Sequence, residues 1–427
     1  MLGARKPVVG SAASRSAIKV YAVARPLQPT RRTTTSTRVA TFVDAVTTTG
    51  TERFARNADG TYDLSAPPPF SLQDLRNAIP ARCWEKDTLR SVGHLALDVA
   101  IVVGLAAAAF TVNQWWLWPI YYFAQGTMFW ALFVVGHDCG HQSFSSNKTL
   151  NNFIGNIVHS SILVPYHGWR ISHREHHSNH GHVENDESWH PVTKSLYDKM
   201  EPLARVGRLS LPWSLFAYPF YLWQRSPGKT GSHYDPNCDL FTPAEGRQIM
   251  TSNAFLIGML GVLAAATYAL GPLAMFNLYV IPYWMNVVWL DVVTYLHHHG
   301  SSNPAEKMPW YRGEEWSFLR GGLTTIDRDF GVFNKIHHDI GTHVVHHLFS
   351  QIPHYNLTEA TEAVKPVMGP YYREPQPSPG WFPSHLLAPL VRSFSTDHYV
   401  ADTGNVVYYE SDPALAGGVT SAVKATR

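Results

Sequence analysis

The sequence is poor in several things at once. Of 427 residues only three are cysteine: Cys83, Cys139 and Cys238. No two of them form a CxxC pair, so neither a disulfide framework nor a cysteine zinc site is available. A reducing compartment suits the chain. Charged residues make up 15%, well under the usual quarter, and net charge is only +2. That balance gives no electrostatic footprint for nucleic acid. HExxH is missing, which removes the usual zinc-peptidase site; His173-Arg-Glu-His176-His177 is only a permuted look-alike. There is no glycine-rich nucleotide motif and no HPGG segment of the cytochrome b5 kind. A chain doing redox chemistry with these gaps needs a separate electron donor.

Acidic residues are absent from the first 43 positions. Arg5, Lys6, Arg15, Lys19, Arg25, Arg31, Arg32 and Arg38 lie there, with the run Thr33-Thr34-Thr35-Ser36-Thr37. Basic, hydroxyl-rich and acid-free is the composition of an organelle transit peptide, and no long apolar run suggests a secretory signal. A leader over 1–50 is expected. Pro67-Pro68-Pro69 marks a linker within a membrane-surface segment over 51–90, before the main folded part.

Charge is also missing in two internal stretches. From Ser91 to Gly136 the only charged residue is Asp98, and from Met250 to Leu290 there is none. Each is long enough for two spans of about 20 residues. Asn113–Trp118 with Pro119 divides the first, and Gly271-Pro272 divides the second. The expected fold is all-α and integral to a membrane. Four transmembrane helices, near 94–112, 119–136, 252–270 and 274–296, form two hairpins. The run Leu211–Trp223, broken by Pro212 and Pro219, reads as helix lying in the interface. Fourteen Trp suit an interfacial belt. Two returning hairpins leave everything else on one side of the bilayer, where a helical cap is expected.

What the sequence has in excess is histidine, 23 in all. Three clusters stand out: His137-Asp-Cys-Gly-His141, His173-Arg-Glu-His176-His177 and His343-Val-Val-His346-His347. On a helix, positions three and four apart share a face. Each cluster can therefore offer several imidazoles to one side. Eight such rings exceed the four ligands of one zinc, so two metals are the economical reading. Imidazole suits Zn, Cu, Fe and Ni. Soluble di-iron proteins use glutamates and a pair of Glu-x-x-His motifs; that pair is lacking here, so an iron pair would have a nitrogen-rich site. A histidine-rich metal transporter would place ionisable groups along a path inside the spans, where this chain has almost none.

These clusters and their separations resemble the membrane fatty-acid desaturase family. Longer strings resemble its omega-3 branch in plants and algae: Ser160–His173, Glu184–His190, Thr324–Asp329, His337–His343 and Asp397–Gly404. The likeness covers roughly 70 to 411 and implies a desaturase domain over 91–411, followed by a flexible tail over 412–427. It implies two iron ions, with O₂ as co-substrate. The product would be a new cis double bond in dienoic acyl chains, of eighteen or sixteen carbons, in membrane glycerolipids. With a plastid-directed leader, it implies ferredoxin as donor and a chloroplast membrane as address. The family's metal site implies a ninth histidine from the end of the fourth span; His298 is favoured by position, with His297 and His299 as alternatives. The implied ligand set is His137, His141, His173, His176, His177, His298, His343, His346 and His347. His159, His167, His180, His182, His190 and His337 read as outer or structural histidines. Asp138, Glu175, Asp186 and Asp339 are candidate acceptors for the free N–H of a ligand ring. A narrow apolar tunnel should reach the metals; aromatics in 115–133 and 276–289 could line it or simply pack.

Overall fold

The computed structural model describes residues 53–413 and 415. The leader expected over 1–50, and nearly all of the tail expected over 412–427, lie outside the described residues.

Four long helices organise the fold, and local chemistry sets their ends. The first, Thr88–Val112, starts at Asp87, whose side chain accepts from the Arg90 N–H. It stops at Asn113, which adopts a left-handed conformation at φ 43°, a role asparagine fills where glycine is absent. The second, Leu117–His141, begins after a short turn and ends at Gln142 in the same left-handed region. The third, Gly246–Leu270, is halted by Gly271 at φ 88°. Pro272 then opens the fourth, Pro272–His298, which contains one π-turn over Phe276–Val280.

Among the described residues three helices are long and apolar enough to cross a membrane: Thr88–Val112, Gly246–Leu270 and Pro272–His298. The second long helix does not reach that threshold. Tyr121, Tyr122 and Gln125 dilute its apolar character, and almost all of its side chains from Gln125 to Cys139 are buried by protein. It is the central element. Tyr121 donates to the Leu278 carbonyl (2.7 Å), and the Trp289 indole donates to Thr127 (2.9 Å), which fix the fourth helix against it. Gln125 reaches the Val102 carbonyl of the first (3.2 Å). Phe129 meets Tyr279, and Phe123 meets Trp289, edge-on or tilted. The aromatics expected near a tunnel are thus largely packed on one another.

Shorter helices include Lys148–Ser161, which packs along the second long helix, Tyr166–Asn179, His343–Leu348 and His354–Met368. Leu72–Ala78, closed by a reciprocal Ser71–Asp74 capping box, packs through Leu75 against Leu357, Ala360 and Val364. The chain is mostly helical but not wholly so. Two small antiparallel ribbons occur: Trp310–Tyr311 with Val406–Val407 ties the C-terminal segment to the chain after the fourth long helix, and Tyr399–Val400 with Tyr409–Glu410 folds that segment on itself. Between the second and third long helices, Pro202–Leu209, Trp213–Phe216 and Tyr218–Trp223 are short helices that leave Leu203, Trp213, Phe220 and Trp223 exposed.

Candidate metal centre

The second long helix runs five residues past the expected end of its span and so carries His137 and His141 on its last turn. They are four apart and face the same way. Tyr166–Asn179 brings His173, His176 and His177, and the short helix His343–Leu348 brings His343, His346 and His347. His298 is the last residue of the fourth long helix. These segments are far apart in sequence, yet all nine rings meet in one buried region.

Two groups emerge. One ring nitrogen from each of His137, His141, His173, His177 and His346 lies within 4.8 Å of the others. His176, His298 and His347 form a second group by the same measure. His343 joins the latter, its Nε2 lying 3.2 Å from that of His298. The His176 and His298 Nε2 atoms are 3.3 Å apart. The stacked rings of His177 and His347, 4.0 Å between centroids, link the two groups.

The HxxHH spacing accounts for the division. Residues four apart are about 40° apart around a helix, while the residue at +3 sits about 60° to the other side. His173 and His177 therefore serve one group and His176 the other. In the third cluster the sense is reversed: His343 and His347 go to the second group, and His346 to the first. Each helix contributes to both centres, which fixes the separation between them.

The donor set fits metal ions. Buried polar atoms are normally paired, yet His141 Nε2, His346 Nε2 and both nitrogens of His347 have no hydrogen-bond partner. Burial drives the His173, His177, His343, His346 and His347 rings well below the usual imidazole range, so each is neutral with a lone pair to give.

Outer partners orient these rings. Asp186 accepts from His176 Nδ1 at 2.6 Å and from His180 Nδ1 at 3.0 Å. This leaves the His176 Nε2 free to face His298. Burial alone would raise the Asp186 carboxyl, but His176 and His180 outweigh it and hold it well below the carboxylate range. Asp327 accepts from the backbone N–H groups of His343 (2.6 Å) and Val344 (2.7 Å), and from the Tyr372 hydroxyl (2.7 Å). It thereby anchors the start of the third-cluster helix. Arg328 donates to the Leu296 and His299 carbonyls, both at 2.9 Å, a cation placed at the negative end of the fourth long helix. That contact sets the position of His298.

The remaining expectations divide. His297 stacks on His343 at 4.0 Å with both nitrogens unpartnered, and His299 turns away to the Tyr409 hydroxyl (2.9 Å). Of the three neighbours, His298 reaches two cluster histidines through Nε2. His180 lies closer to the centre than an ordinary structural histidine, 4.5 Å from the His298 ring. His159 contacts the Phe133 carbonyl, His167 contacts Asn156, and His190 contacts the Pro191 carbonyl. His182 faces Glu184, and His337 sits among Trp130, Trp289 and Phe333. Of the four carboxylates considered, Asp186 holds a site ring. Asp138 accepts from His354 (2.9 Å) and lies 3.5 Å from His137 Nδ1. Glu175 instead pairs with Arg174 at the surface, and Asp339 pairs with Lys335 one helical turn away. Sequence reasoning missed Asp327, Arg328, His338 and His354. The first three lie in strings that carried the resemblance, but nothing local gave them a role.

Comparison with known proteins agrees with this constellation. The family described as Fatty acid desaturase matches residues 113–378, and a domain of unknown function matches residues 10–107. A sunflower (Helianthus annuus) protein named sn-2 acyl-lipid omega-3 desaturase (ferredoxin), chloroplastic, is 62% identical over 355 residues, covering 83% of this chain and 79% of its own. A temperature-sensitive sn-2 acyl-lipid omega-3 desaturase (ferredoxin), chloroplastic, from Arabidopsis thaliana is 61% identical, covering 83% and 81%. A Vigna radiata protein named omega-3 fatty acid desaturase, endoplasmic reticulum, is 58% identical, covering 84% and 94%. With most of the chain matched at this identity, and with the histidine clusters assembled at its centre, this protein belongs to the fatty acid desaturase family.

Proposed function

We propose that this chain is an acyl-lipid omega-3 desaturase with nine histidine ligands: His137, His141, His173, His177 and His346 at one iron, and His176, His298, His343 and His347 at the other. The observation that carries this reading is the convergence of nine imidazoles, seven buried and His141 and His173 half-buried, several with unpartnered nitrogens, from four separate segments. Two irons held there supply the O₂-dependent oxidation that removes two hydrogens from an unactivated acyl chain, chemistry beyond side chains alone. The protein's own work is placement. Asp186 fixes the tautomer and direction of His176, Asp327 anchors the third-cluster helix, and Arg328 holds the end that presents His298. Burial excludes bulk water from the reacting carbons.

The names of the relatives support ferredoxin as electron donor and a chloroplast membrane as the address. One relative is named for the endoplasmic reticulum, so the plastid assignment rests on the leader over 1–50, whose first 43 residues are acid-free. In the membrane, we place all four long helices as spans in two hairpins within the 91–411 domain, with the 51–90 segment, the cap and both termini on one face. The apolar side chains of Trp213, Phe220 and Trp223 suit the interface there. Tags near Gly60, Thr230 and Glu410 should be cut by a protease from the same side; opposite accessibility of the last two would overturn the second hairpin.

The activity test is regiochemical. An omega-3 enzyme measures from the methyl end or from an existing double bond. A filled apolar channel can do so, because burying each methylene contributes about 0.8 kcal/mol and a one-carbon slip forfeits it. Expressed in yeast with a plant-type ferredoxin system and fed linoleate, the mature chain should place a third double bond three carbons from the methyl end. A sixteen-carbon diene should gain its bond at that same distance, and stearate should stay saturated. Mass spectrometry of derivatised products locates the bond. A position constant from the carboxyl end would end the omega-3 assignment while sparing the desaturase one.

A further inference from the structure

A second histidine cluster lies beside the first and takes no part in it. His94, on the second turn of the first long helix, faces His338, just before the third-cluster helix, and His354, at the start of the helix His354–Met368. One ring nitrogen from each lies within 4.8 Å of the other two. Their centroids are 5.0 Å (His94–His354), 5.8 Å (His94–His338) and 4.7 Å (His338–His354) apart.

The tautomers of two rings are fixed by buried carboxylates. His338 Nε2–H donates to Asp98 at 2.7 Å, and His354 Nδ1–H donates to Asp138 at 2.9 Å. The nitrogens that face away from the carboxylates are His338 Nδ1 and His354 Nε2. His354 Nε2 is buried and has no partner. A carboxylate behind a histidine whose other nitrogen is free is the arrangement that supports metal-bound imidazoles. Asp98 is also the one acid in the first apolar stretch, and ionisable groups in such positions call for a purpose. The backbone adds an independent sign. His338 and Asp339 are both left-handed, at φ 53° and 54°, a conformation that non-glycine residues rarely adopt in succession. Strain of this kind collects at functional sites, and here it aims His338 at its two neighbours. His94 is only half-buried, so the cluster has an opening towards solvent.

We propose that His94, His338 and His354 form a third metal site, taking one zinc ion with water in the fourth position. Three imidazoles with an open position suit zinc, and Asp98 and Asp138 lie behind two of them. The ion would cross-link the first long helix to the segments on either side of the third cluster. Asp138, shared with His137, would couple it to the iron site.

The test is metal counting on the purified full chain in detergent, after growth with both iron and zinc. Wild type should carry one zinc equivalent that His94→Gln lacks, with iron content the same in both. The difference is read whether or not the nine-histidine centre holds iron, so failure of that assignment would not disguise failure of this one. Equal zinc in the two proteins would overturn the proposal. Should His94→Gln not be recovered folded, wild type alone decides. A mild chelator should remove one zinc equivalent and lower Tm, and re-addition of zinc should restore both. The absence of any chelatable equivalent would overturn the site.

Discussion

Glycines in two sets of helices sit in opposite surroundings. In the second long helix, a Cβ added at Gly126 would lie 2.4 Å from Met285 Cβ, and one at Gly136 would lie 2.1 Å from the His159 ring. In the first and third long helices, a Cβ at Gly93, Gly104, Gly258 or Gly261 would meet nothing within 4 Å. The inner helix is packed on nearly every side and ends in the clustered His137 and His141. The outer two are more apolar, yet they turn most of that surface away from the protein. High hydropathy here goes with helices that the protein leaves uncovered, and close packing with the helix that carries His137 and His141.

The inner, ligand-bearing region should respond most severely. His176→Ala removes an imidazole from the second group and leaves Asp186 with His180 and the backbone N–H groups of Gly181 and Ser188. Activity should fall by more than about 100-fold, beyond the range typical of outer-partner losses. Iron content should drop while the protein remains inserted in the membrane. Turnover and iron per chain, measured together, check this; wild-type activity would remove His176 from the ligand set.

Asp186→Asn should cost less. Its side-chain oxygen can still accept from one ring, but the second acceptor and the charge are lost. Iron affinity or turnover should fall by about 10- to 100-fold. A chelator competition series would measure it, and an unchanged affinity would show that packing alone orients His176.

These two residues illustrate what the sequence made legible. His176 belongs to a motif whose spacing is itself the mechanism, since HxxHH on a helix must fan its rings. Asp186 could be named because a ligand ring needs an acceptor and few acids lie nearby. Nothing local told it apart from Glu175, which ends at the surface. Asp327 and Arg328 act through backbone groups brought together only by the fold, so no periodicity could expose them. His354 follows the third cluster by seven residues with no motif, and its importance comes from Asp138, more than two hundred positions earlier. The long helices were legible from missing charge. That the second runs without a break through His141 was not, because the apolar pattern stops at Gly136.

Gly136→Ala tests the inner side of the comparison by volume alone. The His159 ring that the new methyl would strike is stacked on Phe133 at 4.9 Å and meets Trp169 at 4.7 Å. It cannot withdraw without moving the core around the first cluster. Overpacking of this kind costs about 1–3 kcal/mol. A clear fall in Tm is expected, together with reduced iron loading, because His137 is the next residue.

Gly258→Ala is the matching change on an outer helix, and its effect should be the smallest. The new methyl has open space around it, and alanine is favoured over glycine within a helix by about 0.8–1 kcal/mol in water. Tm in detergent should therefore stay level or rise slightly, with activity unchanged. The result carries information in either direction. Gly258 and Gly261 lie three apart, on neighbouring turns, and small residues on a lipid-facing helix are also what allows two helices to approach closely in a membrane. A loss comparable to that of Gly136→Ala would mean that this face is covered in the native membrane, by a second copy or another protein. The contrast between inner and outer helices would then describe the isolated chain but not its assembled state.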